Sequence, residues 1–512
     1  MDSPLNPRIL NPQALAEPPV PLSKTSKTRP VKTPLVKTRP ARLGVLVMLA
    51  LPLGGCLLSE RIDPALDIPI AYRFGPKSVA AAEQSLPRLD WWRGFRSREL
   101  TDLIEEARVA NLDIAAAIAR IVQADAQARI AGAALLPNVS LDGSASRSRS
   151  SQSTGTSTGG GSERSSYSAS LSASYEIDFW GKNRAALRSA EELAVASRFD
   201  REVVSLTAVA AAANAYFQVL AAQERLGVAR RNITSAQRVL DLIRQRLTAG
   251  TASELDTSQQ ESLLATQRAA VPQLELTLQQ NVNALALLIA RPPARVTIRG
   301  GSLRAIAIPR VTPGLPSELI AQRPDIREAE ANLAAANANV ENARAAMLPS
   351  ITLTGEGGYQ SSVLKTLMRP ESALFSLAGG LTQPIFDGQR LQGQLDLNKG
   401  RQDELLQTYR KAVISGFVDV ENALAAIRQN ADRERLLQAA VTASRRAFEI
   451  SETRLREGTV DLVTVLQTQQ SLFQAEDQLV QARLARLQAV ISLYQALGGG
   501  WLPKPVEASN AR

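Results

Sequence analysis

The chain has 512 residues, with 59 Lys and Arg against 49 Asp and Glu, no histidine and a single cysteine. Without imidazole there is no Ser-His-Asp or Cys-His catalysis and no histidine-ligated zinc, and one cysteine cannot form an internal disulfide, so an enzyme is not expected. The net charge of +10 does not indicate nucleic acid, because residues 1–55 alone carry +6 and no basic stripe with interleaved aromatics follows.

Residues 1–55 read as a secretory signal: a basic, proline-punctuated stretch, a short apolar run over 43–53, then Leu53-Gly54-Gly55-Cys56. Small residues directly before a cysteine resemble the lipobox of bacterial lipoproteins, which implies cleavage before Cys56 and a covalent lipid on its sulfur. Leu57 in the next position fits sorting to the outer membrane. A segment over 56–98 then leads to a predicted helix over about 99–135.

The next segments carry the strongest pattern. Tyr167, Ala169, Leu171, Ala173, Tyr175 and Ile177 are apolar, and Ser168, Ser170, Ser172, Ser174 and Glu176 between them are polar. Val139, Leu141, Gly143 and Ala145 alternate in the same way with Ser140, Asp142, Ser144 and Ser146. Short segments with one apolar and one polar face are the mark of transmembrane β-strands, with Leu171 facing lipid and Ser170 the lumen. The hairpin spans 138–178, and its Ser- and Gly-rich connection, 147–166, reads as a mobile loop. Gly159-Gly160-Gly161 within it lacks the Lys-Ser/Thr of a phosphate cradle.

From 182 to 249 there is no proline and one glycine, Gly227, so a helix of about 100 Å is predicted. It turns at Gly250 and returns over 254–290. The pattern then repeats: a helix over about 317–348, a hairpin over 350–385 with a mobile connection at 361–372, and a helical hairpin over 389–497 turning at Gly458. Ala133 to Leu141 recurs at Ala345 to Leu353, Phe179-Trp180-Gly181 at Phe386-Asp387-Gly388, and Arg246 to Thr251 at Arg454 to Thr459. Three landmarks in one order at nearly one offset make a tandem duplication, with repeats over 99–300 and 315–500 and a tail over 501–512. Four strands cannot close a barrel, and an open sheet edge cannot lie in hydrocarbon, so closure requires several copies. Outside the signal, no stretch is expected to be apolar and long enough for a spanning helix.

Here the residues resemble the TolC-like outer-membrane efflux family, in its lipoprotein branch. Arg323-Pro324-Asp325-Ile326-Arg327-Glu328, running on to Met347-Leu348-Pro349-Ser350-Ile351-Thr352-Leu353, resembles its most recognisable stretch. Trp91-Trp92-Arg93-Gly94-Phe95 and Thr382-Gln383-Pro384-Ile385-Phe386-Asp387-Gly388 resemble two further landmarks. The resemblance implies a mixed α and transmembrane-β fold: a homotrimer whose twelve-strand β-barrel in the outer membrane continues into a periplasmic α-helical barrel. The implied role is the passive outer-membrane channel of a tripartite efflux system, with a periplasmic adaptor and an inner-membrane RND-type pump as partners. Type I protein secretion through the same design stays open, and a periplasmic scaffold is a weaker third reading. The implied adaptor-docking residues are Arg246, Leu247, Gly250, Thr251, Arg454, Leu455, Gly458 and Thr459, where plain helix stops are the other reading. The implied periplasmic aperture is Asp256 and Asp461, for which solvated surface carboxylates are the alternative. No cofactor or metal is expected beyond the lipid on Cys56.

Overall fold

The computed structural model describes residues 66, 68, 69, 71–74, 89–149, 163–311 and 313–501, all within the unit Leu57–Arg512. The expected signal, Cys56 and nearly all of the tail lie outside the described residues. Helices α1 (Arg98–Ala110) and α2 (Leu112–Ala133) lead into strands β1 (Asn138–Arg149) and β2 (Glu163–Ile177), then helices α3 (Lys182–Thr248) and α4 (Glu254–Leu288). The second half runs α5 (Pro316–Gln322), α6 (Pro324–Ala345), β3 (Ser350–Ser361), β4 (Ala373–Thr382), α7 (Arg390–Arg456) and α8 (Leu462–Ala496).

The single helices expected at 99–135 and 317–348 are each broken in two. Asn111 takes an extended conformation, its side-chain oxygen accepts the N–H groups of Asp113 and Ile114 at 2.9 and 3.1 Å, and its amide donates to Leu288 O at 2.9 Å. A buried asparagine that caps one helix and holds the end of another cannot also continue its own. At the second break, Pro324 forces Arg323 out of the helical region and then opens α6 as its first residue.

The strands form one antiparallel sheet in the order β1-β2-β3-β4. Chain order equals spatial order, so the two hairpins join through β2 and β3, and β1 and β4 form the edges. Above the long-helix turns, α4 packs on α3, α3 on α8 and α8 on α7; nearer the sheet the order is α2, α3, α6, α7. One side of the protein is therefore edged by β1, α2 and α4, and the other by β4 and α7.

The main core lies midway along α3. Trp91 stacks on Tyr494 with ring centroids 4.7 Å apart, and Phe95 meets Phe217 edge-on at 5.1 Å, among Leu100, Ile104, Leu220 and Ile491. Alanines 208, 210, 212, 213, 215, 221 and 222 are buried and let the neighbouring helices approach closely. This part of α3 corrects one expectation, because the helix is long and apolar enough to cross a membrane by composition. Its apolar face is instead consumed by Trp91, Phe95 and their neighbours.

Candidate functional site: the sheet faces and the helical tips

The sheet separates two surfaces. On one face, register places Leu141 opposite Leu171, Ala145 opposite Tyr167, Tyr175 opposite Leu353 and Ile351 opposite Leu381. On the other, the hydroxyls of Ser140 and Ser172 lie 2.7 Å apart and those of Ser144 and Ser168 2.8 Å apart. The Asp142 carboxylate accepts from Ser140 and Ser172 at 3.1 and 3.2 Å, and Gln360 donates to Ser166. An apolar face and a hydrogen-bonded polar face on one sheet are what a wall between hydrocarbon and water requires.

Two details depart from the pattern reading. Ser170, expected to look freely into the lumen, is 9% exposed, because Gly358 of β3 lies so close that a Cβ there would stand 2.5 Å from Ser170 Cα. The expected loops are also shorter: β1 continues to Arg149 and β2 begins at Glu163, tied by an Arg147–Glu163 ion pair at 2.6 Å. The second connection is an ordered pair of 3-10 turns, in which the Ser361 and Thr366 hydroxyls lie 2.7 Å apart and Ser372 donates to Thr366 O at 2.8 Å.

The second strand of each hairpin passes into a long helix through an aspartate that sequence reasoning missed. Asp178 accepts the N–H groups of Asn183 and Arg184 at 2.9 Å each, and Asp387 accepts Leu391 N–H at 3.0 Å. Burial alone would raise the Asp178 carboxyl, but the two N–H groups and the Arg184 guanidinium hold it below the ordinary carboxylate range. The nearby Trp180 indole donates to Pro349 O at 2.8 Å and so pins one junction to the other. The signal available in the sequence was an acid a few residues before each proline-free run.

At the far end the two turns are the same motif built twice. Thr251 N–H donates to Arg246 O and Gly250 N–H to Leu247 O, at 2.8 and 2.9 Å; Thr459 donates to Arg454 O and Gly458 to Leu455 O, at 2.9 and 3.1 Å. Both are Schellman caps, and Gly250 at φ +73° and Gly458 at φ +74° supply the left-handed residue the motif needs. The turns, 208 residues apart in sequence, lie side by side: the Arg246 guanidinium donates to Leu455 O of the other. Thr251, Arg454 and Thr459 are exposed and Leu247 half-buried. Leu455 is different. It is 4% exposed, packed with Val239, Ile243, Phe448, Leu462 and Val465, so it supports the turn from beneath and offers no surface.

The two aspartates assigned to an aperture both cap helices. Asp256 closes a capping box, accepting the Ser253 N–H and hydroxyl at 2.8 Å each while its own N–H donates to Ser253 Oγ. Asp461 accepts the Thr464 hydroxyl and N–H at 2.5 and 3.0 Å, and those bonds, the hydroxyl first, lower its pKa. Asp256 is half-buried; Asp461 is exposed at the start of α8. A second feature the sequence did not give is the bidentate Arg238–Glu452 pair, at 2.8 and 3.0 Å, which ties α3 to α7 about three turns before the end of α3 and about one turn before the end of α7. Beside it opens a cleft of about 590 Å³ lined by Arg238, Asp241, Arg268, Glu452 and Arg456.

The Arg-Pro-Asp stretch is a brace. The Arg323 guanidinium forms two bonds to Asp325, at 2.7 and 3.0 Å, one to Asp419 of α7 at 3.0 Å and one to Ala496 O at 3.2 Å. It thereby fastens α6, α7 and the end of α8 at one buried point.

A two-faced sheet continuing into paired long helices is also the plan of known proteins to which this chain is similar. The family model described as outer membrane efflux protein matches residues 103–291 and 315–499. The chain belongs to this family. It is an outer-membrane channel of an efflux system and not an enzyme, and the secretion alternative is not favoured. It is 44% identical over 457 residues, 88% of this chain and 97% of the relative, to the pyoverdine export outer membrane protein OpmQ of Pseudomonas putida. It is 30% identical over 458 residues, 88% of this chain and 97% of the relative, to the cation efflux system protein CusC of Escherichia coli. Among solved structures it resembles the CmeC outer membrane channel of Campylobacter jejuni, with a TM-score of 0.80 at 26% identity, covering 87% of this chain and 95% of that one. The tolerance of one backbone plan to such sequence divergence fits a fold set by alternation, helix length and two capped turns.

Proposed function

We propose that three copies close edge to edge into a trimer, β1, α2 and α4 of one copy meeting β4 and α7 of the next, to give a twelve-strand barrel and a periplasmic helical tunnel. The observation that carries this is the edge itself. Both sheet edges carry unpaired backbone groups that hydrocarbon does not tolerate. The helical edges expose apolar side chains, among them Leu112, Ile118 and Val122 on one side and Leu397, Ile414 and Val418 on the other. Head-to-tail contacts that close make a ring. Cys56 is the lipid attachment point, adding an anchor beside the barrel.

In this reading a periplasmic adaptor contacts the tips through Arg246, Leu247, Gly250, Thr251, Arg454, Gly458 and Thr459, with Leu455 beneath them, and enters the cleft beside Arg238 and Glu452. Energy comes from an inner-membrane RND-type pump, and the channel conducts passively. Asp256 and Asp461 add negative charge at the periplasmic mouth while capping their helices. The cargo of the 44% identical relative, pyoverdine, is the first to test. Native mass measurement of the purified protein should give three copies, each carrying acyl chains at Cys56; a stable monomer or dimer in the membrane overturns the ring. A deletion strain should retain the exported compound in its periplasm, and unchanged export would set aside the cargo assignment.

A further inference from the structure

The outward ends of the hairpins carry charge that the channel role does not use. On β1 the apolar face runs Val139, Leu141, Gly143, Ala145 and then, still in alternation, Arg147 and Arg149, with side chains 75% and 68% exposed. Only Glu163 is paired with them among the described residues. The connection 150–162 contains no charged residue to neutralise the rim. On the other hairpin, the two 3-10 turns between β3 and β4 present Val363, Leu364 and Met368 at 54%, 63% and 70% exposure. Exposed Lys365 and Arg369 are interleaved with them, and neither forms an ion pair among the described residues. Buried Leu367 and the Ser361–Thr366 bond hold these turns in shape, so their exposed apolar side chains are presented on an ordered surface.

Apolar residues mixed with lysine and arginine, directly continuous with a lipid-facing band, suit the headgroup level of a membrane: the apolar side chains enter the acyl boundary and the cations meet phosphate. When edges join, β1 of one copy lies beside β4 of the next. Arg147 and Arg149 then stand next to the Lys365 and Arg369 turns across the seam. Glu163, shared by Arg147 and Arg149, and exposed Glu371 offset part of this charge, so the four cations keep an excess at the seam that a further anion would neutralise.

We infer that each seam at the outer rim binds the phosphorylated headgroup of the anionic glycolipid in the outer leaflet, gripped by Arg147, Arg149, Lys365 and Arg369. This rests on the proposed ring and its orientation. The test uses the full-length protein in detergent, titrated with bisphosphorylated lipid A, with its dephosphorylated form and with phosphatidylglycerol. Changing Arg147, Arg149, Lys365 and Arg369 together to Ser should weaken lipid A binding at least about tenfold, with native mass and single-channel conductance unchanged. The dephosphorylated lipid should bind both proteins alike and weakly. Equal lipid A binding by the two proteins overturns the inference, as does phosphatidylglycerol binding as well as lipid A, which would mean a general anionic phospholipid contact. Orientation is read separately: an impermeant thiol reagent should label Glu371→Cys in intact cells above the parent background. No label removes the orientation and the inference together, whereas a labelled turn with equal lipid A binding removes the inference alone.

Discussion

Helices α3 and α7 are 67 residues long, leave equivalent strands and end in the same Schellman cap, yet they live in different surroundings. Twenty-six residues of α3 are buried against twelve of α7, and α8 buries sixteen of its 35 residues where α4 buries four. The duplicated backbone plan fixes length and termini, while position within the protomer fixes composition. Helix α3 touches neighbours on several sides and is alanine- and valine-rich in its middle; α4 and α7 are edges with exposed apolar residues. Identical geometry therefore carries two kinds of apolar residue, one buried within the fold and one left exposed along its edges.

The sharpest way to break that comparison is to cut both kinds. Phe217→Ala on α3, where the ring is fully buried against Phe95, should cost about 3–5 kcal/mol of stability. Ile414→Ala with Val418→Ala on α7, exposed at 52% and 49%, should barely move the melting of a dissociated chain but reduce trimer yield. Equal loss of folding from both would erase the distinction. Within one strand, Leu353→Arg on the apolar face should cost about 2–4 kcal/mol and impair membrane assembly, whereas Thr354→Arg, exposed on the polar face, should assemble and alter conductance. Failure of both would show that β3 has no lumen side.

A smaller effect separates interior from edge by pH. Glu328 on α6 has its pKa raised from 4.5 to about 7, by burial first and then by Asp200 and Asp325. The folded chain keeps a proton there that the unfolded chain releases, so this contribution to stability is complete below pH 4.5 and is lost as pH rises through about 7. Glu328→Gln should flatten that part of the melting-temperature profile; parallel profiles for the two proteins would assign the slope elsewhere. The smallest change concerns the tips. Ser253→Ala removes an N-cap and should cost about 1 kcal/mol locally, and Asp461→Ala should lower cation preference in planar bilayers, with trimer mass unchanged. Unaltered selectivity would leave Asp461 as a helix cap alone.

Much of the architecture was legible because it is periodic. Alternation over 167–177 marks β2, proline-free runs mark α3 and α7, and Gly250 and Gly458 mark the turns. What was not legible depends on partners far away in sequence. Ser170 is buried by Gly358 from the other repeat, and Asn111 ends its helix because its side chain is engaged at two helix termini at once. Leu455 is a docking residue only by family resemblance, and its side chain lies in the core between the helical hairpins. Asp256 and Asp461 stand where an aperture residue was sought, and the local geometry first gives them to helix starts. Strand ends at Arg149 and Glu163 were missed because backbone pairing runs on beyond the last apolar residue of β1, where the facing positions are arginines.

The serine rungs on the polar face have a consequence of their own. A hydroxyl both donates and accepts, so Ser140 and Ser172, or Ser144 and Ser168, can exchange the bond between them for one to a passing molecule and restore it afterwards. Away from the Asp142 carboxylate, such a wall behaves chemically much as a layer of water does, offering neutral polar solutes a partner and little reason to stay. Sorting is thereby left to whatever loads the channel, and the same sheet can line a path for a new cargo without a new surface.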